Sequence, residues 1–256
     1  MNIKELQKNW DNFGKIDPLW AIISWSDKKG NKWRIEEFFD TGIREINEII
    51  KYVELLDLNI PRRKALDFGC GVGRLTQALA NYFDKVYGVD VAPSMIKLAN
   101  KYNRHGDKCK YYLNEMDNLR LFPNSSFDFI YTNITFQHME PRYSKNYIKE
   151  FLRILVPHGL CIFQLPSKPT PYCEKSNKDL KQLIKLVAPK ILLILYYKFL
   201  NLRAKILNLP RMEMFGIKQK EVIKLLKNNK AKIVDIIQNK ASGPNWVSFR
   251  YCVTKE

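Results

Sequence analysis

The stretch that most narrows the fold is Ala65-Leu66-Asp67-Phe68-Gly69-Cys70-Gly71-Val72-Gly73-Arg74, where a short apolar run meets an acid and then three glycines at alternate positions. A run of this length, bounded by turn residues, reads as a buried strand. Leu75, Ala78, Leu79 and Tyr82 follow at i, i+3, i+4 and i+7, the spacing of a helix with one apolar face. Gly69, Gly71 and Gly73 suit the sharp turn between strand and helix, because glycine enters positive φ without a steric penalty and lets a ligand approach main-chain N–H groups. Further apolar runs at 64–69, 85–90, 109–114, 127–132 and 159–165 alternate with amphipathic segments. Such alternation predicts a parallel sheet covered by helices on both faces.

The C-terminal part departs from that rhythm. A helix is expected over Lys218 to Asn228, then strands at Ala231–Gln238 and Trp246–Val253, joined by Asn239 to Asn245. That joint is rich in turn residues and too short for a crossover helix, so the last two strands should pair antiparallel. The expected fold class is therefore α/β: a Rossmann-like, doubly wound, mostly parallel seven-stranded sheet closed by a C-terminal antiparallel hairpin. No repeat with a period of 20–50 residues competes with it. Two additions are expected. Residues 1–60 form an N-terminal helical cap, with a helix from Glu36 to Leu56, and residues 61–256 form the main domain with a helical insertion at about 167–216. The cap holds four of the five tryptophans, Trp10, Trp20, Trp25 and Trp33, which serve either as a substrate platform or, more commonly for such residues, as packing over a core.

Composition bounds the setting. Lys and Arg number 43 against 26 acidic residues, giving a net charge of +17. Such a surplus attracts polyanions. Lysine, asparagine and isoleucine are nonetheless abundant everywhere in the chain, as an AT-rich coding sequence would produce. Five cysteines (Cys70, Cys109, Cys161, Cys173 and Cys252) are scattered and form no C-x-x-C pair, which argues against a disulfide framework or structural zinc and for a reducing cytoplasm. The N-terminus has no basic-then-apolar signal pattern, and the longest apolar run, Ile191 to Tyr197, is too short to cross a bilayer. The basic, apolar stretch 175–207, interrupted by Pro189, reads either as a lid over an acceptor pocket or as a peripheral contact at the inner membrane surface.

The chemistry starts at the glycine loop. A dinucleotide fingerprint would place glycine at 74, where Arg74 stands, and Asp67 at the loop entrance would attract a cationic amine and repel phosphate. Asp90 ends the next strand, seventeen residues beyond Gly73. A carboxylate there can accept both hydroxyls of a ribose. Pro93-Ser94-Met95 then opens a helix, and Glu115, in Asn114-Glu115-Met116-Asp117, either takes an adenine amino group or is a surface carboxylate.

ALDFGCGVGR, VYGVDVAPSMIKLA and NSSFDFIYTNITFQHM resemble successive motifs of class I S-adenosylmethionine-dependent methyltransferases, in a type 11/25-like domain covering about residues 60–165. The resemblance implies S-adenosyl-L-methionine as cofactor. It maps Asp67, Gly69, Cys70, Gly71 and Gly73 to the methionine part, and Asp90 to the ribose. Val91, Met95, Glu115, Met116 and Asn133 are carried over as further cofactor contacts. At the reaction centre it implies Gln137 and His138 beside Asn133, and Thr41 is expected close enough to the cofactor to help close the site. His138, with a near-neutral reference pKa and a place just past the fourth strand, is the candidate general base for an alcohol acceptor; a histidine that stacks against substrate or packs beneath the loop is the other reading. Asp17-Pro18-Leu19-Trp20, Phe38-Phe39-Asp40-Thr41-Gly42 and Phe136-Gln137-His138-Met139 resemble, less closely, a branch associated with glycan or cell-envelope biosynthesis. That implies a small-molecule, saccharide or lipid-linked acceptor methylated at oxygen.

There are departures from the family pattern. Val156-Pro157-His158-Gly159 stands where Pro-Gly-Gly is common, so His158 is expected at an unusual backbone angle. The chain lacks the N-P-P-aromatic motif after the fourth strand and any Pro-Cys or Thr-Cys dipeptide, which disfavours nucleic acid as the acceptor. Two rival readings remain: a nicotinamide-dependent oxidoreductase, and a non-catalytic cofactor-binding domain that serves a partner protein.

Overall fold

A computed structural model of the protein describes residues 2–171 and 210–255. Its seven strands are β1 Lys64–Phe68, β2 Lys85–Asp90, β3 Cys109–Leu113, β4 Phe127–Thr132, β5 Leu155–Pro169, β6 Ala231–Asn239 and β7 Trp246–Lys255. They form one sheet in the order β3-β2-β1-β4-β5-β7-β6. Neighbours among β1 to β5 run parallel, and β7 lies antiparallel between β5 and β6. The expected parallel sheet and terminal hairpin are both present. From β1 the chain winds outward to β2 and β3 and then returns to place β4 on the other side of β1. At such a reversal the loops leaving the carboxyl ends of the strands part, and a crevice opens between them.

Helix α4 (Arg74–Leu79) follows β1, α5 (Pro93–Tyr102) follows β2, α6 (Pro141–Ile154) leads into β5 and α7 (Gln219–Asn228) precedes β6. β1 is buried from Ala65 onward, as its unbroken apolar character requires of a strand covered on both faces. One apolar layer joins Leu66, Phe68, Phe136, Phe151 and Phe163 under α6. The other joins Ile46, Ile49, Leu75, Leu79, Phe83 and Phe129.

The N-terminal residues form α1 (Ile3–Ile16), α2 (Pro18–Ile22) and α3 (Ile35–Leu55). α1 starts with a reciprocal cap: Glu5 N–H donates to Asn2 Oδ1 at 2.9 Å and Asn2 N–H donates to Glu5 Oε2 at 2.8 Å, which satisfies two otherwise open donors. A third apolar cluster, including Phe13, Trp33, Phe38, Val72 and Met95, ties these helices to the glycine loop and α5. Asp11 strengthens the tie, accepting from the Ser94 N–H at 2.8 Å through its carboxylate and from the Ser94 hydroxyl at 2.9 Å through its main-chain oxygen.

The structure differs from expectation around His158. β5 starts at Leu155 rather than 159, because the Val156–Gly159 turn is absorbed as an irregularity in its pairing with β4. His158 itself has φ +61°, the left-handed angle its place in the motif foretold. The stretch 175–207, whether lid or membrane contact, lies outside the described residues. Among the described residues, no helix is long and apolar enough to cross a membrane.

Candidate active site

A cleft of about 920 Å³, counting its open mouth, lies at the carboxyl ends of β1, β2 and β4. Its floor is the glycine loop, where Gly69, Gly71 and Gly73 have φ of +75°, +53° and +86°. Gly71 shows why no larger residue serves: a Cβ there would come within 2.5 Å of Ile22 Cδ1, and the backbone angle already penalises side chains. The loop is held from β2. Asp90 Oδ2 accepts from Gly71 N–H at 2.9 Å, and Asp90 Oδ1 accepts from Ala92 N–H at 2.9 Å. Burial raises the Asp90 pKa, and the N–H groups of Ala92, Gly71 and Val91 pull against that rise.

Of the residues proposed from the sequence, Gly69, Cys70, Gly71, Asp90, Val91, Met95, Asn133 and His138 line this cleft. The others stand off its wall. Asp67, 1% exposed, lies behind the loop, with Oδ2 accepting from Thr76 Oγ1 at 2.6 Å and Oδ1 without a partner. Burial pushes its pKa up to about 7, opposed by Thr76 and Arg74. A buried carboxyl that is half protonated at neutral pH is a poor lure for an amine at the entrance. Gly73 turns away from the cleft, toward Tyr111.

Past β3 the chain turns, and of residues 114–117 only Asn114 is buried. Asn114 faces inward and ties the turn through Nδ2, donating to Met116 O at 3.2 Å and Asn118 O at 2.9 Å. Glu115 and Met116 are exposed, and Glu115 accepts from Gln7 Nε2 at 2.6 Å. Thr41 is buried on α3, where its hydroxyl donates to Phe38 O and accepts from Arg74 Nη1 at 3.3 Å.

His138 reaches the cleft with both ring nitrogens engaged. Nδ1 lies 2.8 Å from Glu213 O, an acceptor, so it must carry the proton. That leaves Nε2 to accept from Gln137 Nε2 at 3.1 Å. Burial drives the His138 pKa down to about 4, with the bond to Glu213 opposing. This corrects the expectation of a near-neutral base: the lone pair a base would use is taken, and the ring stays neutral far below pH 7. Gln137 sits one layer back, where its Oε1 accepts from Ser242 Oγ at 2.9 Å.

Several wall residues were missed from the sequence. Ile3, Leu6 and Trp10 of α1 line the cleft, and the Trp10 ring centroid lies 5.1 Å from that of His138. The i, i+3, i+7 spacing of these three is the signal that was available. Ile134, a β-branched residue held at φ +53°, also lines it, as do Thr135, Met139 and Tyr147. Strain of this kind, about 1–3 kcal/mol, persists where surrounding structure over-determines the backbone and is concentrated at functional sites.

Residues 66–163, from β1 to β5, match a family model described as a methyltransferase domain. The chain carries a class I S-adenosylmethionine-dependent methyltransferase domain. Among similar proteins, phosphoethanolamine N-methyltransferase of Triticum aestivum is 30% identical over 143 residues, covering 55% of this chain and 26% of its own. The 2-methyl-6-phytyl-1,4-hydroquinone methyltransferase of Synechocystis is 30% identical over 154 residues, covering 60% of this chain and 47% of its own. The chain thus spans between about a quarter and a half of the length of these curated relatives. The crystal structure of magnesium protoporphyrin IX methyltransferase from Synechocystis with bound SAH superposes with a TM-score of 0.59 at 16% identity, covering 93% of each chain.

Proposed function

We propose that this chain binds S-adenosylmethionine in the cleft and transfers its methyl group to a small-molecule acceptor. The observation that carries the reading is the Asp90 carboxylate beside the glycine loop. Each of its oxygens accepts one main-chain N–H. An ionised carboxylate has about four acceptor sites, so capacity remains for a ribose hydroxyl. Arg74 supports this cofactor over a nicotinamide dinucleotide, because it fills the position where the dinucleotide loop needs its third glycine.

The bound cofactor would supply an electrophilic methyl group on a cationic sulfur. The chain's own part is placement. Val91, Met95, Leu6 and Tyr147 offer an apolar wall to the adenosine, with Asn114 at its edge. The glycine loop, Asn133 and Thr135 bound the other end, and Trp10, Ile134 and His138 flank the space left for the acceptor. Holding two reactants in line is worth about 7–11 kcal/mol of barrier. With His138 committed to Glu213 and Gln137, the acceptor that fits is one whose attacking atom is already unprotonated at neutral pH. Among oxygen acceptors that is a carboxylate, and among nitrogen acceptors it is an amine of low basicity, since an ordinary alkylamine is an ammonium at neutral pH.

The test is calorimetry with S-adenosylhomocysteine and NAD, followed by methyl transfer to a panel of carboxylates, amines, alcohols and lipid-linked saccharides. Binding of S-adenosylhomocysteine and transfer to a carboxylate or amine are expected. Tighter binding of NAD would sink the cofactor reading, and cofactor binding without transfer to any acceptor would favour the non-catalytic one.

A further inference from the structure

We propose that Glu45, on the N-terminal helix α3, is a positioning residue that turns the Asn133 side-chain oxygen into the cleft, as the acceptor for the ammonium group of the bound cofactor. The inference rests on the cofactor reading above. Glu45 Oε2 accepts from Arg74 Nη2 at 2.7 Å. Its Oε1 accepts from the Tyr131 hydroxyl at 2.9 Å and from Asn133 Nδ2 at 2.7 Å. These partners come from two stretches of chain: the start of α4, and the end of β4 with the residue that follows it.

The chemistry of the partners fixes the direction of the amide. Burial works against the charge on Glu45, but the Arg74 guanidinium and the bonds from Arg74, Asn133 and Tyr131 hold its carboxyl below the usual range. An ionised carboxylate only accepts, so Asn133 must offer it nitrogen. The Asn133 oxygen is then left for the cleft, whose wall Asn133 forms beside Gly69, Ile134 and Thr135. The backbone there has little freedom: Thr135 packs so closely on Gly69 that a Cβ would collide with it, and Ile134 N–H donates to Gln164 Oε1 at 3.1 Å. Glu45 also pairs with a guanidinium that is only 4% exposed. Without that pairing, Arg74 would repel a cation at this end of the cleft.

Glu45→Gln reverses the arrangement while keeping its size. Arg74 has only donors, so it takes the single amide oxygen of the glutamine. The glutamine NH₂ then faces Asn133, which must turn its own oxygen outward and present a donor to the cleft. Two probes separate this effect from a general loss of structure: S-adenosylhomocysteine, which carries the ammonium, and 5′-methylthioadenosine, which has the adenosine and sulfur but no amino-acid part. Both are titrated calorimetrically into wild type, Glu45→Gln and Asn133→Ala. Affinity for S-adenosylhomocysteine should fall about tenfold or more in both variants, the worth of a hydrogen bond to a charged group. Affinity for methylthioadenosine should stay within about twofold. Equal losses for the two ligands would make Glu45 a merely structural brace and overturn the proposal, with the cofactor reading intact. Asn133→Ala leaves the Arg74–Glu45 pair in place, so unchanged S-adenosylhomocysteine binding in that variant would overturn the proposal even if Glu45→Gln failed to fold. Wild-type protein that bound neither ligand would overturn the cofactor reading and this one with it.

Discussion

Asp67→Asn should change how stability depends on pH more than it changes stability itself. Asp67 is buried behind the glycine loop with one oxygen unpaired, and its pKa is pushed up to about 7 by burial. In the unfolded chain an aspartate titrates near 3.9. The folded state therefore binds the proton more tightly, and the stability this confers is full below about pH 3.9 and lost as pH rises through about 7. Between pH 6 and 8 the unfolded chain holds essentially no proton at this site, while the folded protein goes from mostly protonated to mostly ionised. Across those two pH units the folded state holds on average about half a proton more than the unfolded chain, which integrates to roughly 1.4 kcal/mol. For a chain of this size that is about 3–5 °C in melting temperature. The assay is thermal unfolding of wild type and variant in matched buffers at pH 6, 7 and 8. The difference between the two proteins should shift by that amount in favour of asparagine as pH rises. Other titrating groups, His138 among them, cancel in the difference. Parallel melting-temperature curves would refute the reasoning and return Asp67 to an ordinary ionised carboxylate.

Asp90→Ala should weaken S-adenosylhomocysteine binding about 10- to 150-fold in calorimetry, since hydrogen bonds to a charged acceptor contribute about 1.5–3 kcal/mol each. His138 has the opposite linkage to Asp67. Its pKa is lowered to about 4, so its contribution is present above about pH 6.5 and lost as pH falls toward 4, and His138→Gln should flatten the acid limb of a stability profile. In activity, kcat/KM of the wild type should show no His138 inflection between about pH 6 and 7; one that vanished in His138→Gln would restore the general base. Trp10→Ala should raise the acceptor KM more than it lowers kcat, at a stability cost of about 1–3 kcal/mol, because Trp10 is only partly buried where it meets the cleft.

The sheet was legible because each of its strands announces itself locally. β2 and β4 have the bounds expected from their apolar runs, 85–90 and 127–132, and the hairpin of β6 and β7 follows from a joint too short for anything else. The glycine loop and Asp90 were legible for a related reason: a turn that needs positive φ and a strand-end acid are fixed by positions close in sequence. Glu115 and Met116 stand off the cleft because the turn after β3 buries Asn114 and leaves the next three residues exposed. His138 lines the cleft, but its chemistry depends on Glu213, 75 residues away, and no local pattern reveals that partner.

The same distinction explains why the N-terminal residues read as a cap yet reach into the cleft. Their periodicity shows that they pack, and Phe38, Ile46 and Ile49 of α3 do pack. It says nothing about Glu45 on the same helix, whose importance comes from three donors on stretches 29 to 88 residues away. α1 likewise covers the cleft through Ile3, Leu6 and Trp10 while being fastened at its edges by Asp11 to Ser94 and by Asn9, which exchanges two hydrogen bonds with the Arg211 main chain at 2.8 and 2.9 Å. The segment from 210 to 217 is thereby bound to α1, to His138 through Glu213, and to Gln137 O through the Phe215 N–H at 2.7 Å. A change in α1 therefore alters the Trp10–His138 side of the cleft even when it touches no residue of the glycine loop, which is why, on the proposed function, the Trp10 variant is expected to act on the acceptor KM.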